Sequence, residues 1–182
     1  MNAIKKAWLV LGALGLVLVM SQASHAQVNS GASTINLSAS LAESVTVVAG
    51  PATITFPLVP SGTAAGNNPA TITTSWALAK TRTSLKVYAY FASANALTDG
   101  AGDNIPNTAV SGAVDGGAAA AFTGATPYGG AFGMTVFTQA IGAAGTFNSS
   151  HADTIALTIN TTGLALPATT YTGVLNIQAQ AL

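Results

Sequence analysis

The sequence predicts an all-β protein, an antiparallel sandwich of about eight or nine strands with Greek-key-like connections. Three observations carry this reading. Apolar residues recur with a period of two rather than 3.6 over most of the chain. Beyond residue 26 no amphipathic stretch is long enough to hold a helix. The alternating segments are separated by runs rich in Gly, Pro, Asn and Ala.

The first element is expected to be removed. Residues 1–6 carry Lys5 and Lys6, residues 7–20 are all small or apolar, and residues 21–26 end Ser24-His25-Ala26. That is the order of a secretory signal peptide. A fourteen-residue run is too short for a bilayer core, which needs about twenty residues in helix. Cleavage after Ala26 leaves residues 27–182, enough for one domain with one core. A leader of this kind implies secretion, to the periplasm, the cell surface or the extracellular space. No further membrane-spanning helix is expected.

Strands are expected at 33–41, 44–48, 52–56, 70–79, 84–92, 108–114, 132–138, 154–160 and 171–182. In 33–41 the odd positions include Ile35, Leu37, Ala39 and Leu41. In 70–79, Ile72, Thr74, Trp76 and Leu78 share a face. In 84–92, Leu85, Val87, Ala89 and Phe91 face one way, and Lys86, Tyr88 and Tyr90 the other. In 154–160, Ile155, Leu157 and Ile159 align, and the last segment aligns Tyr171, Leu175 and Ile177. The expected core is Trp76, Leu85, Val87, Phe91, Ile155, Leu157, Ile159, Leu175 and Ile177. Loops are expected at 57–69, 93–107, 115–131 and 140–150, and the Ala- and Gly-rich 115–131 stretch reads as a surface loop.

Charge narrows the function. Residues 27–182 hold three cations (Lys80, Arg82, Lys86) and five acids (Glu43, Asp99, Asp103, Asp115, Asp153), a net charge of −2. Ordinary domains carry about a quarter of their residues charged. The absence of a basic patch argues against nucleic acid as a partner. The absence of cysteine excludes disulfides, thiolate metal sites and cysteine catalysis. A surface of Thr, Ser, Asn, Ala and Gly has little charge repulsion to keep molecules apart, which favours self-association.

The stretch Gly163-Leu-Ala-Leu-Pro-Ala-Thr-Thr-Tyr171-Thr-Gly173 and the strand to Leu182 resemble the closing turn and strand of bacterial secreted immunoglobulin-like domains, the chaperone–usher pilins and spore coat protein U type. The segments 34–41, 44–48 and 52–56 are similar to their opening strands. The usual N-terminal disulfide is missing, and Thr169 stands where their turn has Gly. The resemblance implies an immunoglobulin-like sandwich, in which Tyr171 fits a tyrosine corner or, equally, a half-buried strand Tyr. It also implies polymerisation by strand donation, with Ile35, Leu37, Ala39 and Leu41 as the donated face and a homologous subunit as partner, against the alternative, which the residues alone favour, of an ordinary first strand in a complete sandwich.

Sites for chemistry are sparse. Ser149-Ser150-His151-Ala152-Asp153 holds Ser, His and Asp, but neighbours on one strand rarely assemble a triad, and an enzyme is not expected. Asp99, Asp103 and Asn104 share a Gly-rich turn that offers oxygen ligands to calcium, against the alternative that they serve the turn itself. Tyr88 and Tyr90 offer a platform for a glycan, against the alternative of cross-strand packing. The expected function is a structural subunit of a surface appendage, coat or extracellular matrix. The alternative is a monomeric secreted module that binds glycans or another surface molecule.

Overall fold

A computed structural model describes residues 30–128 and 130–182. The expected signal peptide, residues 1–26, lies outside the described residues. Twelve strands occur among the described residues: β1 (Ser44–Gly50), β2 (Thr63–Ala65), β3 (Ala70–Ala77), β4 (Ser84–Tyr90), β5 (Asn95–Thr98), β6 (Asn104–Pro106), β7 (Val110–Val114), β8 (Ala120–Ala121), β9 (Gly124–Thr126), β10 (Gly130–Ala140), β11 (Asn148–Asn160) and β12 (Asn176–Ala181). A 3-10 turn at Asn107–Ala109 is the one helical element among them.

All the ladders are antiparallel. One sheet runs β1-β3-β11-β7-β8, with β2 also paired to β11. The second runs β12-β4-β10-β9, and β5 and β6 form a separate pair. Neither sheet closes on itself. Strand β11 organises the first sheet: residues 148–155 pair with β3, while its C-terminal half takes β2 on one side and β7 on the other.

Alternation explains the packing. On β3, Ala70, Ile72, Thr74 and Trp76 are buried, while Thr71 and Thr73 are exposed. On β11, Asp153, Ile155, Leu157 and Ile159 are buried. On β4, Leu85, Val87 and Ala89 are buried on the inward face. Ala70, Ile72, Val87, Ala89, Ile155, Leu157 and Ile159 join Phe91, Ile105, Val110 and Phe122 in one core between the two larger sheets. A smaller cluster of Trp76, Leu85 and Ile141 closes one end, where Trp76 Nε1–H donates to Thr146 O at 2.8 Å. The expected all-β sandwich is therefore the observed class, with Trp76, Leu85, Val87, Phe91, Ile155, Leu157 and Ile159 buried.

Several expectations are corrected. Residues 33–41 form no ladder and are exposed throughout, so they are not a paired first strand. Residues 52–56 keep their alternation but pair with no strand among the described residues, as Pro51 and Pro57 remove donors at both ends. The last strand starts at Asn176 rather than Tyr171, and Leu175 and Ile177 are only half-buried. The expected loops hold the short strands β2, β5, β6, β8 and β9. The 115–131 stretch is anchored, because Phe122 is fully buried 5.0 Å from the Phe91 ring and its carbonyl accepts from the buried Asn107 side chain.

Candidate functional site

The domain has an apolar cleft of about 880 Å³ between residues 49–58 and 169–177. One wall continues from β1, an edge strand. Here Ile54, Phe56 and Leu58 are half-buried and Thr53, Thr55 and Pro57 are exposed, so the chain is extended and two-faced without a ladder. Asn67 ties it at one point: Thr55 N–H donates to Asn67 Oδ1, and Asn67 N–H to Thr55 O, both at 3.0 Å.

The other wall leads into β12. Thr172 exchanges backbone bonds with Thr98 at 2.8 and 2.9 Å. Tyr171 O–H donates to Pro167 O at 3.1 Å, four residues upstream, as a tyrosine corner does. Gly173 is required there, because a Cβ at that position would run into the Ala96 carbonyl. Phe91, Val110, Leu157 and Ile159 form the floor. None of the lining residues is Lys, Arg, His, Asp or Glu. The nearest titrating influence is on Tyr171, whose phenol is pushed up by desolvation and then by Asp103 and Asp99.

Physically, this is a strand-shaped opening. Strand β12 pairs with β4 on one side and, among the described residues, with no strand on its other side. Residues 52–54 and 173–175 stand outside the ladders. Val174, at 71% exposure, presents apolar surface on this wall. Such an edge takes up an extended peptide through main-chain bonds, and pockets select alternate side chains.

The sequence-derived residues are placed as follows. Ile35, Leu37 and Leu41 are 85%, 92% and 81% exposed, an extreme value for three large apolar side chains in one short segment. Tyr88 is buried, and Tyr128 packs over it edge-on at 6.1 Å and stacks on Tyr90 at 5.8 Å. Tyr90 O–H donates to Gln178 Oε1 at 3.0 Å, and Tyr128 O–H to Ala179 O at 2.8 Å. The pair is thus part of a cross-strand aromatic cluster. Asp99 Oδ1 accepts the backbone N–H groups of Ala101, Gly102 and Asp103 at 2.8, 3.1 and 3.0 Å, and Asn104 Nδ2 donates to Gly102 O. That oxygen serves the turn, ringed by donors that oppose a cation.

Sequence reasoning missed the second wall of the cleft and its floor. Residues 52–58 signalled themselves through alternation bracketed by prolines. Val110 carried no signal as a floor residue, because only the sheet brings it beneath that wall. No family model matches the chain, and no curated protein matches it in sequence.

Proposed function

We propose that the protein is a secreted structural subunit that assembles with copies of itself by strand donation. Residues 33–41 of one copy lie in the cleft of the next. The carrying observation is the pairing of two complementary features: an exposed segment whose alternate positions are Ile35, Leu37, Ala39 and Leu41, and an apolar cleft bordered by unladdered backbone. Lengths agree. Nine extended residues, as in 33–41, span roughly 30 Å, and the wall 169–177 likewise has nine residues.

Strand order supports an immunoglobulin-like reading. Such sandwiches set strands A, B, E and D against C, F and G. Here β1-β3-β11-β7 follows the first pattern, and β12-β4 follows F and C. The place beside β12, where G would lie, holds no strand among the described residues. A donated segment there would complete the sheet and cover the half-buried Ile54, Phe56 and Leu175 from solvent.

The test uses residues 27–182 at several concentrations, examined by negative-stain electron microscopy and light scattering. Filaments or regular sheets are expected. A peptide of residues 33–41, added in excess, is expected to bind stoichiometrically and cap growth. A monodisperse monomer at every concentration that also fails to bind the peptide overturns the proposal and leaves a monomeric binding module as the better reading.

A further inference from the structure

The inner face of the first sheet carries one polar patch amid apolar residues. Strand parity puts His151 and Asp153 on the same face of β11 as Ile155, Leu157 and Ile159. Across the ladder, Thr74 lies opposite His151, and Ile72 opposite Asp153. The turn after β7 brings in Asp115, which adopts φ +48°. Its N–H donates to Thr154 O at 2.9 Å, and its Oδ1 accepts from Thr154 N–H at 2.7 Å and Thr154 Oγ1 at 3.1 Å. One ligand atom each from Asp115, His151 and Asp153 then lies within 4.8 Å of the others.

Two carboxylates thus meet one imidazole, and one of the carboxylates, Asp153, is buried. The Asp153 side chain is 2% exposed, and its Oδ1 sits 3.2 Å from His151 Nε2. Its Oδ2 has no hydrogen-bond partner among the described residues. Buried carboxylate oxygens are normally satisfied by donors or by a cation. Thr74 Oγ1, on the same inner face, is a second buried oxygen without a partner among the described residues. Burial pushes the Asp153 carboxyl above its ordinary range; His151 opposes this and Asp115 adds to it. The His151 ring is held in place by stacking on Phe137, with centroids 3.9 Å apart and planes 14° apart.

We propose that Asp115, His151 and Asp153 bind a divalent first-row transition cation of the zinc type. One nitrogen and two carboxylate oxygens form a donor set that zinc accepts. Bonds of about 2.0–2.2 Å place neighbouring tetrahedral ligands roughly 3.3–3.5 Å apart. The 3.2 Å between His151 Nε2 and Asp153 Oδ1 falls just short of that edge, so a small separation of the two would seat the ion. Asp115 is exposed and His151 half-exposed, so the ion has an entry path and a fourth position open to water. Calcium and magnesium are disfavoured, since an imidazole is a poor ligand for either and the side chains supply only two carboxylates. None of the three residues lines the apolar cleft, so this site is independent of strand donation.

The test is Zn²⁺ titration of the purified, EDTA-stripped protein by calorimetry at pH 7.5, with equilibrium dialysis for stoichiometry and Ca²⁺ and Mg²⁺ as comparisons. One Zn²⁺ per chain is expected. At a hundredfold excess over Kd it should raise the Tm by roughly 5–10 °C. His151→Gln and Asp115→Asn should each weaken binding by about tenfold or more and remove most of the Tm shift. Both side chains reach solvent, and Asp115→Asn alone decides the matter if the His151 variant fails to fold. No stoichiometric Zn²⁺ binding, affinity unchanged by Asp115→Asn, or equal affinity for Ca²⁺ each overturns the assignment.

Discussion

Leu37→Ala separates assembly from folding. In its own chain Leu37 is 92% exposed, so truncating it removes almost no native packing. Surface substitutions of this kind usually change stability by less than about 0.5 kcal/mol. In a neighbour's cleft the same side chain would be buried against the Phe91 and Leu157 floor. Full burial of a Leu is worth about 1.5–3 kcal/mol, and Leu→Ala in a packed site costs about 2–5 kcal/mol. Taking about 2–3 kcal/mol, association weakens roughly 30- to 150-fold. The assay pairs two measurements on each protein: thermal unfolding of the dilute subunit, and fluorescence anisotropy with a labelled peptide of residues 33–41, in wild-type and Leu37→Ala form. An unchanged Tm for the subunit and a 30- to 150-fold rise in peptide Kd are expected. A large fall in Tm with no change in Kd would refute the reasoning, since it would make Leu37 an ordinary core residue of its own chain. Indifference of both readouts would refute it equally, by showing that the cleft does not take this face.

Further outcomes follow from the same packing. Glu43 accepts from the Arg82 guanidinium at 2.9 and 3.1 Å and from Ala79 N–H at 2.7 Å, and its pKa is lowered to about 2, the Arg82 bond being the main cause. A carboxyl with a depressed folded-state pKa stabilises fully above its ordinary value and loses that contribution as pH falls toward 2. The Tm difference between wild type and Glu43→Gln should therefore be present at pH 6 and vanish near pH 2. Phe122→Ala, at a fully buried site, should cost about 3–5 kcal/mol in urea unfolding, although the residue lies in a Gly- and Ala-rich stretch. Gly173→Ala should cost about 1–3 kcal/mol, read as a lower urea midpoint, because its methyl meets the Ala96 carbonyl. It should also weaken peptide binding, since Gly173 lines the cleft wall.

Much of the fold was legible because a strand with one buried face must alternate. Trp76, Leu85, Val87, Phe91, Ile155, Leu157 and Ile159 are assigned to the core from parity alone and are buried, while Leu175 and Ile177, assigned in the same way, are half-buried. Local composition also told apart the long strands from the Gly- and Pro-rich connections. Alternation does not say whether a segment finds a partner. Residues 33–41, 52–58 and 154–160 carry the same pattern, yet only the last is laddered on both sides. Pairing depends on which edges the other strands leave open, and that is a property of the sheet as a whole. Burial of Phe122 was invisible for the same reason, as its run of Ala and Gly has no period to read.

The candidate sites divide along the same line. The sequence by itself determined the class, the near absence of charge, the alternating 33–41 face and the neighbours His151 and Asp153 on one strand. Only the tertiary structure decided that the chain between β1 and β2 stands apart from the segment before β12, leaving a cleft of about 880 Å³ between them. Only it turned Tyr88 and Tyr90 under Tyr128, and Asp99 into its own turn. Asp115 stands 36 residues before His151, and the antiparallel β7–β11 register alone brings it to that site. Spacing along a chain encodes which face a side chain occupies; which faces meet is settled by the pairing of distant strands.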